Sequence, residues 1–192
     1  MPTTFTKQIG VYTDDCFANV QGGVLNFTGD GELIMGEHPA LSGYIYHGGF
    51  RFLNVTIPKN AVIVSAKITF VNQSNSSGTP VSIVKGEAHD SAPAFSTFAN
   101  FMARTRCSAT IPWSPGAQTA GASVDTPDLK TIIQEIVDRA NWESNNDMVL
   151  FVENNGTLSW ILVWDYYYSA AKSAVLEVIY TTAVGRSFGV VI

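Results

Sequence analysis

Charge is scarce in this chain and basic charge is scattered. Charged residues make up 14% of the sequence, with 11 Lys and Arg against 16 Asp and Glu, and Arg104 and Arg106 are the only close basic pair. A nucleic-acid surface needs clustered positive charge, so a nucleic-acid partner is not expected. Cysteine is nearly absent: Cys16 and Cys107 give no disulfide framework, and two buried thiols is the favoured reading over a single large covalent loop. The three histidines, His38, His47 and His89, show neither HExxH nor His-x-His spacing, and no serine sits in a nucleophile elbow. An enzyme is therefore not expected. No window approaches the roughly 18 apolar residues of a membrane helix, and "MPTTFTKQIGVYTDD" lacks the apolar run of a secretory signal. The sequons at Asn26, Asn54, Asn72, Asn75 and Asn155 are then read as polar turn chemistry. Repeats and low-complexity tracts are absent.

What is present is apolar and rich in turns. Apolar residues reach 46%, and 16 glycines punctuate the chain. That mix describes an ordered fold, and 192 residues suit one domain, here 1–182, followed by a tail at 183–192. Strand patterns begin at "KQIGVYT" and recur in "GELIMGE", "YIYHGGFRFLNVTIP" and "VSIVKGEA", with turns at "VQGG", "FTGDGE" and "NQSNSSGTP". In "AVIVSAKITFV", Val62, Val64, Ala66, Ile68 and Phe70 alternate with Ser65, Lys67 and Thr69, which predicts one core face and one wet face. Residues 91–121 read as irregular apart from a strand in "RTRCSATIPW". Near the end, "DMVLFVE" reads as a strand covered on both sides, and "SAVLEVIYTT" as a final alternating strand.

One segment has helical period. Leu129, Ile132, Ile133, Ile136 and Val137 form an apolar stripe, with Lys130, Gln134, Glu135 and Asp138 expected to face water. Thr126 is the expected N-cap, Pro127 the first helical residue and Asp128 a favourable charge near the helix dipole, giving a helix over about 126–140. Burying five such side chains is worth roughly 7 to 15 kcal/mol of gross transfer free energy, so the helix must dock, and the expected place is an open end or flank of a β-sandwich.

Several segments together carry a resemblance. "GFRFLNVTIPKNAVIVSAKITF", "TIPWS", "DTPDLKTIIQEIVDRANWESNNDMVLFVE" and "VWDYYY" with "AVLEVIY" place Ile57, Pro58, Ala61, Ile63, Ala66, Ile68, Trp113, Pro127, Asp128, Leu129, Trp142 and Asn146 in a recognisable order. From about Gly49 to Tyr180 the chain resembles the DNRLRE-type jelly-roll domains, which are related to carbohydrate-binding modules. Near the N-terminus, "VYTDDCFANVQGG" keeps only the acidic pair of that family's pattern. The resemblance implies a mainly β, jelly-roll-like antiparallel sandwich with one docked amphipathic helix. It also implies a setting: such domains occur in secreted polysaccharide enzymes, adhesins and phage virion proteins.

Candidate sites follow. In "WILVWDYYY", one strand would point Trp160, Leu162, Trp164, Tyr166 and Tyr168 to one side and Ile161, Val163, Asp165 and Tyr167 to the other. The stripe either lines the sandwich core or forms a sugar platform, since aromatic faces pack on the apolar face of a pyranose. Trp164, Tyr166, Tyr167 and Tyr168 are the candidate glycan-binding residues. Asp14, Asp15 and Asp30 could supply oxygens to a structural Ca2+, the one cofactor considered, although turn-forming carboxylates are the commoner use of such residues. "KGEAHDS" groups Glu87, His89 and Asp90 in a further cluster that could reach a metal. The apolar tail residues Phe188, Val190, Val191 and Ile192 could bind a partner. These features lead to a non-enzymatic virion structural protein, a phage capsid decoration or cement protein or a fibre-associated one. It would assemble with itself, as a trimer for example, and with other virion proteins in the host cytoplasm, and become extracellular on lysis. The alternative is a stand-alone carbohydrate-binding module recognising a polysaccharide.

Overall fold

The turn-punctuated apolar runs become strands in the computed structural model, which describes residues 1–27, 33–38, 43–76, 78–156 and 159–182. In chain order these are β1 (Thr3–Gln8), β2 (Asp15–Asn19), β3 (Val24–Asn26), β4 (Leu33–Glu37), β5 (Ile45–Val55), β6 (Val62–Val71) and β7 (Ser82–Glu87), then helix α1 (Phe98–Ala103). They continue with β8 (Arg106–Trp113), β9 (Ser123–Asp125), helix α2 (Lys130–Val137), β10 (Asn146–Asn154), β11 (Trp160–Val163), a 3-10 turn at Ala170–Lys172 and β12 (Val175–Thr181). Every ladder among the described residues is antiparallel. One sheet has the order β1-β12-β6-β9. The other runs β11-β4-β5-β10-β7-β8, with β2 added on β5 and β3 on β2.

Alternation drives the two layers together. Phe50 and Phe52 of β5, Val84 of β7 and Leu150 and Val152 of β10 meet Ile68 and Phe70 of β6 and Leu176 and Val178 of β12 in one core. The Phe50 and Phe70 rings lie 4.9 Å apart across it. Strand β10 is buried along Met148–Val152. Its other face, Val149 and Phe151, packs with Phe95 and Phe101 under α1, a helix the sequence pattern did not reveal.

Strand β6 departs from the expected alternation. Ser65 pairs with Ile179 but Ile63 pairs with Tyr180, so Val64 is an extra residue, a β-bulge. The bulge exchanges the faces on its N-terminal side. Ile63 is buried with Ala66, Ile68 and Phe70, while Val62 and Val64 are 57% and 46% exposed.

Helix α2 docks where expected, on the flank, and is shorter than expected. All five stripe residues are buried. A Cβ on Gly86 would come within 2.7 Å of Ile132 Cγ2, so the missing side chain in β7 lets the helix approach. Thr126 does not cap the helix: its hydroxyl accepts from Ile68 N at 3.0 Å, and Asp128 Oδ1 accepts from both Ala66 N and Lys130 N. Nor do Gln134 and Glu135 simply face water. Gln134 accepts from Ile63 N through Oε1 and donates through Nε2 to the Ala61 carbonyl, and Glu135 accepts from Ser108 N and Ala109 N at 2.7 Å each. Two adjacent helix residues therefore satisfy the open edge of β6 in one sheet and of β8 in the other. An uncovered edge is a template for unwanted strand pairing, and here the helix removes two of them.

Candidate functional site

The aromatic run does not form one strand. Strand β11 stops at Val163, and Trp164 N instead donates to the Val71 carbonyl. Beyond this point side chains follow turn geometry rather than alternation. Asp165 is 3% exposed, Trp164 and Tyr166 are half-buried with Tyr166 against the main core, and Tyr167 and Tyr168 stand out at 60% and 50% exposure. Of the four candidate glycan-binding residues, the structure thus displays Tyr167 and Tyr168.

A third ring joins them from far away in sequence. "KQIGVYT" is strand only to Gln8; the following residues form a turn in which Asp14 N donates to the Val11 carbonyl, leaving Tyr12 49% exposed. The Tyr12 and Tyr167 centroids are 6.3 Å apart at 71°, and those of Tyr167 and Tyr168 are 5.5 Å apart at 70°. On the same loop as Tyr167 and Tyr168, Lys172 sets its Nζ 4.6 Å from the Trp164 ring centroid.

Buried carboxylates hold this corner in place. Asp15 Oδ2 accepts from Tyr166 N at 2.8 Å, Asp165 Oδ1 accepts from Tyr168 N at 2.9 Å, and the Asp165 carbonyl accepts from Ser169 N. The two loops are tied at their bases: Ile9 N donates to the Ala174 carbonyl, Gln8 Nε2 to the Ser173 carbonyl and Ser173 Oγ to the Ile9 carbonyl. Asp15 is 1% exposed, and its Oδ1 has no hydrogen-bond partner. Burial, reinforced by the nearby Asp165 and Asp14 charges, pushes its carboxyl up to about 8. Burial thus favours the neutral form of the Asp15 carboxyl well above the pH at which an exposed aspartate ionises.

The other candidates are engaged elsewhere. Asp14 pairs with Arg51 at 2.9 Å, and Arg51 also pairs with Asp147, tying the β2 entry to β5 and β10. Burial still raises the Asp14 carboxyl above its ordinary value. Asp14 and Asp15 thus serve different partners, Asp30 lies outside the described residues, and among those residues no group of three or more His, Cys, Asp and Glu converges to hold a metal. Glu87 is ion-paired with the buried Arg104, Asp90 with Arg139, and His89 Nδ1 accepts from Ser91 N. His47 Nδ1 accepts from Asn154 N, and burial lowers its pKa. Cys16 and Cys107 are both buried free thiols, as the sequence suggested. A shallow cleft of about 270 Å3 lies over Ser65, Lys67 and Glu177 beside Thr126 and Asp128. Three of its polar side chains are committed, Lys67 to Asp125, and Thr126 and Asp128 to the β6 amides. Phe188, Val190, Val191 and Ile192 lie outside the described residues. No helix among the described residues is long and apolar enough to cross a membrane.

No protein-family model matches the chain, and no curated protein matches it. Similar solved structures include the CBM22-1-GH10 modules of Clostridium thermocellum endo-1,4-beta-D-xylanase 10B complexed with xylohexaose. That match has 8% identity and a TM-score of 0.32 and covers 92% of this chain but 28% of that one. They also include a chain of Mud crab tombus-like virus, with 7% identity and a TM-score of 0.31, covering 95% of this chain and 80% of that one. Both likenesses are too distant to bear on ligand or partner.

Proposed function

We propose that the chain is a non-enzymatic recognition module that binds a soluble glycan at the tyrosine corner. The observation that carries this reading is the gathering of three exposed tyrosines from two separate loops over backbone turns fixed by buried carboxylates. Tyrosine offers large contact area at low entropic cost, a face for the apolar side of a pyranose and a hydroxyl for its polar rim. The Tyr167 ring stands 71° from that of Tyr12 and 70° from that of Tyr168. The rings cannot lie together on one flat surface, so the ligand is a single soluble chain or chain end, with one sugar against a ring face and the neighbouring edges around it. A glycan array probed with wild type and with Tyr167→Ala tests this. Tyr167 contacts both other rings and is mostly exposed, so its loss should abolish binding without unfolding the protein; retained binding in the variant removes the site.

A second reading, a virion structural subunit such as a capsid decoration or fibre-associated protein, is favoured by one surface. Val62 and Val64 of β6, with half-buried Ile179 on the neighbouring strand β12 opposite Ser65, place β-branched side chains on the outer face of the four-stranded sheet, in which β12 separates β6 from the edge strand β1. Such a face suits self-association or docking on another subunit, with the 183–192 tail as a further contact. Light scattering of wild type, Val62→Thr/Val64→Thr and a chain ending at 182 tests it. An oligomer lost in either variant supports assembly; monomers throughout exclude self-association at that face and tail. The two readings are compatible, since a virion protein with a glycan site is a plain combination of both surfaces.

A further inference from the structure

We infer that the tyrosine corner selects acidic glycans, with Lys172 taking the carboxylate or sulfate of the ligand; this rests on the glycan reading above. The inference starts from a census of cations. Among the described residues Arg51, Lys67, Lys85, Arg104, Arg106, Lys130 and Arg139 each have a carboxylate partner. Lys59 donates to the Ala140 carbonyl, and Lys7 lies close enough to Asp14 to lower that carboxyl's pKa. Lys172 is different. Its recorded contact is the face of Trp164, it is exposed, and it enters none of the ion pairs. In a chain with a net charge of -5, an uncompensated cation on the loop that carries Tyr167 and Tyr168 is conspicuous.

The local structure gives this cation a fixed position. Lys172 N donates to the Ser169 carbonyl, and Ser169 N donates to the Asp165 carbonyl, so its backbone is referenced to the same turn that holds the tyrosines. The half-buried Trp164 ring attracts the ammonium through its face and limits where the flexible stem can point. An ammonium has three donors and the ring occupies one side of it, so N–H groups remain for a ligand anion. Division of labour follows. Stacking on tyrosine rewards any sugar with an apolar face, whereas the ammonium rewards only one with a negative group within reach. Burial of Asp15 favours its neutral form, which limits negative charge at the base of the corner.

The test uses the full chain on an array carrying oligogalacturonides and alginate oligosaccharides (uronates), heparin and chondroitin sulfate oligosaccharides (sulfates), and cello- and xylo-oligosaccharides (neutral). The tightest binder is then titrated against wild type, Lys172→Gln and Tyr167→Ala at about 0.05 M and about 0.5 M salt, which shortens the screening length severalfold. The expected result is an acidic binder, uronate or sulfate as the array decides. Its affinity should fall about tenfold in Lys172→Gln, the loss of one charge-assisted hydrogen bond. Its salt dependence should shrink in the same variant, and Tyr167→Ala should abolish binding. Two results overturn the inference and leave the glycan site standing: neutral glycans that bind as tightly as acidic ones, or an acidic binder indifferent to Lys172→Gln but lost in Tyr167→Ala. An array blank for wild type overturns the glycan reading itself and this inference with it. Lys172 is exposed, so Lys172→Gln should fold as wild type does, and thermal melts check that each variant is native.

Discussion

The α2 flank and the tyrosine corner use polar side chains in opposite directions. On the flank, Gln134 and Glu135 reach inward to backbone amides and carbonyls of two different strands, and the helix becomes a cover for sheet edges. At the corner, Asp15 and Asp165 are buried to hold backbone amides of Tyr166 and Tyr168, and the result is that rings are pushed outward. One region buries polar groups to finish the fold. The other buries them to display a surface, and accepts a carboxylate with an unpartnered oxygen in doing so. A structural region should therefore fail on stability when altered, and a recognition region on binding.

The largest stability effect should come from the flank. Trp142 is fully buried, and its Nε1 donates to the Ile57 carbonyl at 3.0 Å, joining the end of the helix region to the β5–β6 link. Trp142→Ala should cost about 4 kcal/mol in chemical denaturation, from the cavity and the abandoned carbonyl together. A cost below about 1 kcal/mol would mean that the flank is not structural in this sense.

Next is a pH effect that separates the two regions. The folded-state pKa of Asp15 is raised from 3.8 to about 8, so between those values the unfolded chain binds fewer protons than the folded one. The contribution of Asp15 to stability is thus fully present below pH 4, declines as pH rises and is lost above about 8. Asp15→Asn can still accept from Tyr166 N but cannot ionise, so its stability curve should be flatter over that range and cross above wild type at the alkaline end. Parallel curves for the two proteins would refute the buried, protonated state of Asp15.

A smaller loss is expected at a sheet edge. Glu135→Ala removes the acceptor for two β8 amides that are not deeply buried, and water replaces part of what is lost. The cost should be about 1 to 2 kcal/mol, with increased aggregation on warming as the β8 edge opens. Glu135→Gln should recover part of it, since one amide oxygen can still accept. The smallest stability change should be at the corner itself, where Tyr167→Ala should stay within about 0.5 kcal/mol of wild type while binding is lost.

Much of the flank was legible in sequence because its signals are local. The stripe from Leu129 to Val137 needs only helical period, and all of its members are buried. What sequence reading missed there was the tertiary use of local signals. Thr126 and Asp128 have the right chemistry for a helix start, but strand β6 offers unpaired amides nearby, and those take Thr126 and share Asp128. The Val64 bulge was hidden for a related reason. "VIVSAKITFV" carries apolar residues on both parities around position 63, and only pairing with β12 decides which of Ile63 and Val64 goes inside. The corner was half legible. The tyrosine run marks Tyr167 and Tyr168, but the alternation in "WILVWDYYY" continues past the true end of the strand, since nothing in the sequence reveals that Trp164 N pairs with the Val71 carbonyl. Tyr12 and Lys172 escaped altogether. Tyr12 meets the tyrosine run only through loop closure between distant segments, for which the single available hint is the acidic pair beside it, one member of which supports the Tyr166 amide, whereas Lys172 follows the run directly and its contact with the Trp164 ring depends on the turn between them.

The most direct measurement is binding of soluble glycans by wild type and Tyr167→Ala, compared on one array after both proteins are shown to have the same denaturation midpoint. Binding by wild type and none by the variant, at equal stability, is the predicted result. A wild type that binds no glycan, or a variant that binds as wild type does, would contradict the assignment of the corner as the recognition surface.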